Sequence, residues 1–154
     1  MTKIIMDCDP GIDDVAALSV AINNKSLDLE LVTTIAGNVT VDKTTSNALQ
    51  IINFFHKDND IKVASGASCP LIKPFEDAAR IHGSSGMRGY NFKSTVAFNP
   101  MKKGAIQALH DYIMNSDEPI ILVATGAYTN IALLISEYPE VKANIFKIIA
   151  MGEA

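Results

Sequence analysis

The sequence is short of cysteine, of surplus basic charge and of long apolar runs. Cys8 and Cys69 are the only two cysteines in 154 residues, and they form no Cys-x-x-Cys pair. That argues against a disulfide-stapled secreted domain; free thiols in a reducing, cytoplasmic setting are expected. Lys and Arg number 13 against 17 Asp and Glu, a formal net charge of −4. Such a balance offers no basic face, so neither nucleic acid nor anionic membrane is expected as a partner. No apolar run approaches the ~18 residues of a membrane-spanning helix. Met1 to Met6 holds one lysine and two isoleucines before the acids begin, so no secretory leader is expected. Internal repeats and low-complexity tracts are missing too.

What is present reads as one globular domain. Hydrophobic residues make up 48% and charged residues 19%, enough to build a core without staples. Short apolar runs alternate with helical ones. Strands are predicted at Lys3–Met6, Leu29–Ile35, Ile61–Ala64, Ile120–Ala124 and Phe146–Met151, the last as a core strand. Helices are predicted at Asp13–Asn23, Val41–Phe55, within Pro100–Met114, and at Thr129–Ser136 with Thr129 as N-cap. This alternation implies an α/β fold: an open, mostly parallel, Rossmann-like sheet with helices on both faces. Residues 65–99, rich in Gly and Pro, form a loop-rich insertion within the single domain 1–154.

Ligands of open parallel sheets sit beyond the carboxyl ends of the strands. Four acids fall there, in Asp7-Cys8-Asp9-Pro10-Gly11-Ile12-Asp13-Asp14. Like charges this close are tolerated when a cation neutralises them or when some carboxyls stay protonated. Oxygen-only ligation points to a hard ion, calcium or magnesium. An EF-hand fits poorly, because Gly11 stands where that loop needs Asp or Asn. The plainer alternative is a solvated acidic turn at a helix start. Cys8 alternates away from Asp7 and Asp9, as a small core residue would.

The same turn closely resembles the N-terminal signature of the inosine–uridine preferring nucleoside hydrolases. Four further segments resemble that family in the same order: Thr34-Ile35-Ala36-Gly37-Asn38-Val39, His82-Gly83 with Gly86, Ala124 to Ala132 with Thr125-Gly126 and Thr129-Asn130, and Ile149-Ala150-Met151-Gly152. The resemblance implies hydrolysis of the N-glycosidic bond of ribonucleosides to free base and ribose by a calcium-activated water. It implies Asp9, Asp14 and the Thr125 carbonyl as ligands of Ca²⁺, with Asp9 also the general base. It implies Asp13 on a ribose hydroxyl, Asn38 orienting water and ribose, His82 near the base, Met151 against the sugar, and Asp7 supporting the loop from behind.

Ala127-Tyr128 replaces the family's Pro-Leu, and Glu153 replaces the second Gly of its Met-Gly-Gly. The family's later acidic-Asn and His-Asp segments have no counterpart. The expectation is therefore a chain corresponding to the N-terminal part of the family's domain, apparently truncated after the fifth strand. Such a chain should bind calcium weakly, hydrolyse nucleosides poorly, and self-associate as a homo-oligomer through its open sheet edge. Two other readings compete. One is a magnesium-dependent phosphotransferase of the haloacid-dehalogenase type with Asp7 as nucleophile. The other is a non-catalytic, oligomeric metal- or nucleoside-binding remnant.

Overall fold

The computed structural model describes residues 1–92, 96 and 98–152. The replacement at Glu153 lies outside the described residues. Five strands form one sheet: β1 (Thr2–Cys8), β2 (Leu27–Thr34), β3 (Lys62–Ser65), β4 (Ile120–Ala124) and β5 (Ile145–Ala150). The helices are α1 (Ile12–Asn23), α2 (Val41–Phe54), α3 (Ala79–His82), α4 (Ala105–Met114) and α5 (Thr129–Glu137). A 3-10 turn at Pro139–Ala143 leads into β5. The strand order is β3-β2-β1-β4-β5, and every pairing is parallel. The chain starts in the middle, steps outward to β3, then returns to the other side of β1 for β4 and β5.

Two apolar layers hold the sheet. Ile4, Met6 and Cys8 of β1 pack with Leu18 of α1 and with Ala48, Ile51 and Ile52 of α2. Ile5 points the other way and joins Leu122 and Ala124 of β4, Leu109 and Ile113 of α4, and Leu134 of α5. This is the period-2 alternation of a strand buried on both faces. Cys8 is fully buried in the first layer, as its parity predicted, and burial pushes its thiol well above the usual range.

Three details differ from the sequence reading. β1 runs past Met6 to Cys8, so Asp7 lies within the sheet, opposite Thr33 of β2 and Ala124 of β4. Thr129 is the first helical residue of α5 rather than its cap; Tyr128 occupies the cap position and no side chain caps that end. β5 forms as expected but is no core strand: Phe146, Ile148 and Ile149 are all exposed. The strand lies at the sheet edge, where no described helix covers it.

Candidate active site

The strand order reverses between β1 and β4, and their carboxyl ends open the crevice typical of such a switch point. The turn from β1 into α1 enters this crevice. Asp14 comes one helical turn before Leu18 and two before Ala21 on the core-facing stripe of α1. The helix that buries those apolar residues therefore buries the Asp14 carboxylate as well.

Each acid of the turn meets a different environment. Asp7 is completely buried. Its Oδ1 accepts the Thr33 hydroxyl at 2.5 Å and the Asn130 amide at 2.8 Å. Its Oδ2 has no hydrogen-bond partner among the described residues. Burial raises its pKa to about 6, against the opposing pull of the Asn130 and Thr33 bonds. Asp9 is 8% exposed. Its Oδ2 accepts the Asn38 backbone N–H at 2.7 Å, and its own carbonyl accepts the Asn38 side-chain amide at 2.9 Å. Burial, followed by the charge of Asp14, raises its pKa to about 7. Asp14 accepts the Thr125 hydroxyl at 2.7 Å on Oδ1 and the Gly11 N–H at 3.2 Å on Oδ2. Burial raises its pKa as well, while the Thr125 and Gly11 bonds oppose the rise. Asp13 is the solvent-facing member, with Oδ1 3.9 Å from His82 Nδ1.

Backbone approaches this site where side chains would not fit. A Cβ on Gly37 would lie 2.1 Å from Asp9 Oδ2, and one on Gly126 would lie 2.9 Å from Asp9 Oδ1. A Cβ on Gly11 would meet both the Asn38 amide and the His82 ring at 2.6 Å. Asp9 is thus held between two glycine-walled turns, one following β2 and one following β4.

The structure brings Asp7, Asp9, Asp13, Asp14, Asn38, His82 and Thr125 around one crevice. His82 belongs to α3 in the loop-rich stretch, and its Nδ1 accepts the Ile12 N–H at 3.3 Å. Asn47 of α2 donates 2.9 Å bonds to the carbonyls of both Pro10 and Ser85, fixing that loop beside the acidic turn. Met151 sits at the rim: its N–H bonds the Ala124 carbonyl at 2.8 Å, while its side chain is exposed. The Tyr128 hydroxyl bonds the Met151 carbonyl. This gives the replacement at position 128 a contact that leucine could not make.

Two supporting residues escaped the sequence reading of roles. Asn130 bonds Asp7, the Thr34 carbonyl at 3.0 Å and the Ala67 N–H at 2.9 Å. Thr33 bonds Asp7 directly across the β1–β2 pair. The available signal was the polar pair Thr33-Thr34, following the apolar Leu31-Val32 at the carboxyl end of β2. Asp7 is completely buried and presents no oxygen to an incoming phosphate, which counts against the phosphotransferase reading.

Asp9 and Asp14 are two buried, mutually repelling carboxylates in one crevice, an oxygen donor set that suits a hard cation. Among the described residues no cluster of three or more acidic, His or Cys side chains forms a complete metal cage. The donor set therefore fits a cation in kind and fills only part of its shell.

Comparison with known proteins bears on these residues. Residues 4–154 match the family described as inosine-uridine preferring nucleoside hydrolase. A non-specific ribonucleoside hydrolase, RihC, of Klebsiella pneumoniae is 52% identical over 149 residues, covering 97% of this chain and 48% of the relative. Its Salmonella paratyphi B counterpart is 51% identical over the same span. Among solved structures, the purine-preferring ribonucleoside hydrolase of Gardnerella vaginalis superposes with a TM-score of 0.92 at 31% identity, covering 99% of this chain and 49% of that one. A plant nucleoside hydrolase superposes with a TM-score of 0.89 at 32% identity. The chain thus spans about half the length of the curated relatives it matches.

Proposed function

This chain belongs to the inosine-uridine preferring nucleoside hydrolase family, and from that premise we propose that its acidic crevice serves hydrolysis of the N-glycosidic bond of ribonucleosides. The observation that carries the reading is the Asp9–Asp14 pair. Two carboxylates are buried together at the switch point, each held in place by donors from a different strand end.

The chain's own groups divide the work as follows. Asp9 and Asp14, with the Thr125 backbone carbonyl, would hold Ca²⁺, leaving several of its about six to eight oxygen positions to water or other groups. When bound there, calcium supplies positive charge that offsets the paired carboxylates and acidifies nearby water. Asp9 takes the proton of the attacking water, and opposite charge beside it returns its pKa toward the ordinary range. Breaking the glycosidic bond builds oxocarbenium character on the ribose, which the carboxylates of the crevice stabilise. Asp13, exposed at the same rim, is free to accept a ribose hydroxyl. Asn38 fixes the Asp9 carboxylate through its N–H and can orient water and ribose. His82 lies on the side for the base, Met151 on the side for the sugar, and Asp7 braces the turn from behind. Two free cysteines suit a cytoplasmic setting.

Calcium titration by calorimetry tests this reading. The chain is expected to bind weakly, and Asp9→Asn or Asp14→Asn to abolish the heat. Any release of base from inosine or uridine should require calcium and vanish in Asp9→Asn. Calcium binding that survives both substitutions would sink the reading.

A further inference from the structure

We infer that Asn47 is a positioning residue for the crevice: it holds the His82 ring on the Ile12 N–H and so gives that ring a donor at Nε2. What the ring then does rests on the proposed function; where it is held does not. The Ile12 N–H can only donate, so the Nδ1 that receives it carries a lone pair. The proton of the neutral ring then sits on Nε2. A competing arrangement is close at hand. Asp13 Oδ1 lies 3.9 Å from the same Nδ1, and a carboxylate there calls for a proton on Nδ1. Which partner wins depends on where two separate segments of chain are set.

The His82 segment does not set itself. His82 ends α3, which is four residues long and has no side-chain cap. A single turn of helix is marginal alone. The bonds that follow it are internal to the loop: the Gly86 N–H to the Gly83 carbonyl at 3.0 Å and the Arg88 N–H to the His82 carbonyl at 2.8 Å. They give the loop its shape and leave its place open. Its ends are tied by the Ala78 N–H on the Asn38 carbonyl at 3.0 Å and by the burial of Met87 in the first apolar layer. Between those ends, α2 supplies the side chains that reach it.

Asn47 differs from the other anchors in holding both sides of the imidazole bond. Its amide nitrogen donates to the Pro10 carbonyl on the Ile12 side and to the Ser85 carbonyl on the His82 side, each at 2.9 Å. Both hydrogens of the amide are thereby used. The residue is 7% exposed, so bulk water is poorly placed to take over either bond. Lys43 reaches the same loop at the Ser84 carbonyl, 2.7 Å away, but from the exposed surface and without touching the acidic turn. A Cβ on Gly86 would lie 2.8 Å from Asn47 Nδ2 and 3.3 Å from the Pro10 carbonyl oxygen, and Gly86 has a φ of +83°. Glycine at that position admits the amide between the two segments.

The test reads the His82 tautomer in the metal-free chain by long-range proton–nitrogen correlation spectra, at about pH 8.5, where an ordinary imidazole is neutral. His82→Gln assigns the signals. The unmodified chain is expected to show one tautomer, with Nδ1 bare and Nε2 protonated. Asn47→Ala should shift both nitrogens toward the values of an imidazole exchanging between tautomers. It should also speed hydrogen exchange at the Ile12 amide at least about tenfold. The His56 and His110 signals should stay where they are, which a general loosening of the fold would not allow. Lys43→Ala should leave the His82 tautomer unchanged. If Asn47→Ala does not fold, Gly86→Ala, which pushes the amide aside without removing it, carries the same expectation. Unfolding of both would make Asn47 a residue of the fold alone and overturn the inference. A mixed tautomer in the unmodified chain, or a fixed one in the folded variant, would overturn it as well. No metal or nucleoside enters the measurement, so a chain that shows the tautomer and binds no calcium would count against the proposed function and leave the role of Asn47 standing.

Discussion

The two ends of the strands treat carboxylates in opposite ways. At the amino ends, Asp117 pairs with Lys3 at 2.6 Å and Asp111 with Lys103 at 2.5 Å, around a cavity of about 320 Å³. A hydrogen-bonded lysine beside each acid holds its pKa below the usual carboxylate range. At the carboxyl ends, Asp7 and Asp9 are buried with no lysine or arginine bonded to them among the described residues, and their pKa values rise to about 6 and about 7. The same side chain is thus driven in opposite directions, and the cause is whether burial or a paired lysine dominates. Cavity volume does not reveal which end does chemistry. In the amino-end hollow Lys3 and Lys103 are each paired with an acid, beside Asp28 and Glu30, whereas in the carboxyl-end crevice the buried acids lie beside one another.

The largest expected contrast is in metal binding. Asp14→Ala should lower calcium affinity by at least about 100-fold, whereas Asp111→Ala should leave it untouched. Calorimetry on both variants decides the matter, and equal losses would dissolve the contrast between the two ends.

Next comes stability against pH in the metal-free chain. A carboxyl whose folded pKa is raised above the unfolded value near 3.8 favours folding most fully below that value. This contribution fades as pH climbs toward about 6 for Asp7 and about 7 for Asp9. Urea denaturation should therefore find the metal-free chain more stable at pH 5 than at pH 8. Asp7→Asn removes the buried charge while keeping an oxygen for Thr33 and Asn130. It should raise stability at pH 8 by about 2–3 kcal/mol and flatten the pH profile. A steeper profile in that variant would contradict this account. Calcium added at pH 8 should restore stability to the unmodified chain.

A smaller effect is expected at the brace. Asn130→Ala strips Asp7, the Thr34 carbonyl and the Ala67 N–H of one partner each, and should cost about 1–3 kcal/mol in a denaturant melt. The smallest belongs to the exposed pair: Lys3→Ala should leave the denaturation midpoint where it is.

The contrast also shows what a linear reading can reach. The four acids fall within eight residues, so their chemistry was visible as a cluster, and the strand–helix alternation gave the parallel sheet. The burial of Asp14 had a signal left unused in the sequence: its four-residue spacing from Leu18 puts it on the buried stripe of α1. The braces were not legible. Thr33 is 26 residues from Asp7 and Asn130 is 123 residues away, and only the register of three strands brings them together. Thr129 was misread because threonine before a helix usually caps it, whereas here it lies one position inside, with its side chain buried. The apolar run of β5 looked like core because composition records what a strand could bury, not what stands opposite it.

The bond from Asn130 to Asp7 has a consequence for the order of events in synthesis. Asp7 leaves the ribosome among the first residues, and its brace follows 123 residues later. Until α5 docks, the Asn130 amide is absent and the Asp7 carboxylate lacks one of its two side-chain donors. Completing its hydrogen bonds is a late event, set by the longest-range closure in the site. The hydrogen bonding of one side chain near the start of the chain therefore waits on the assembly of most of the sequence that follows.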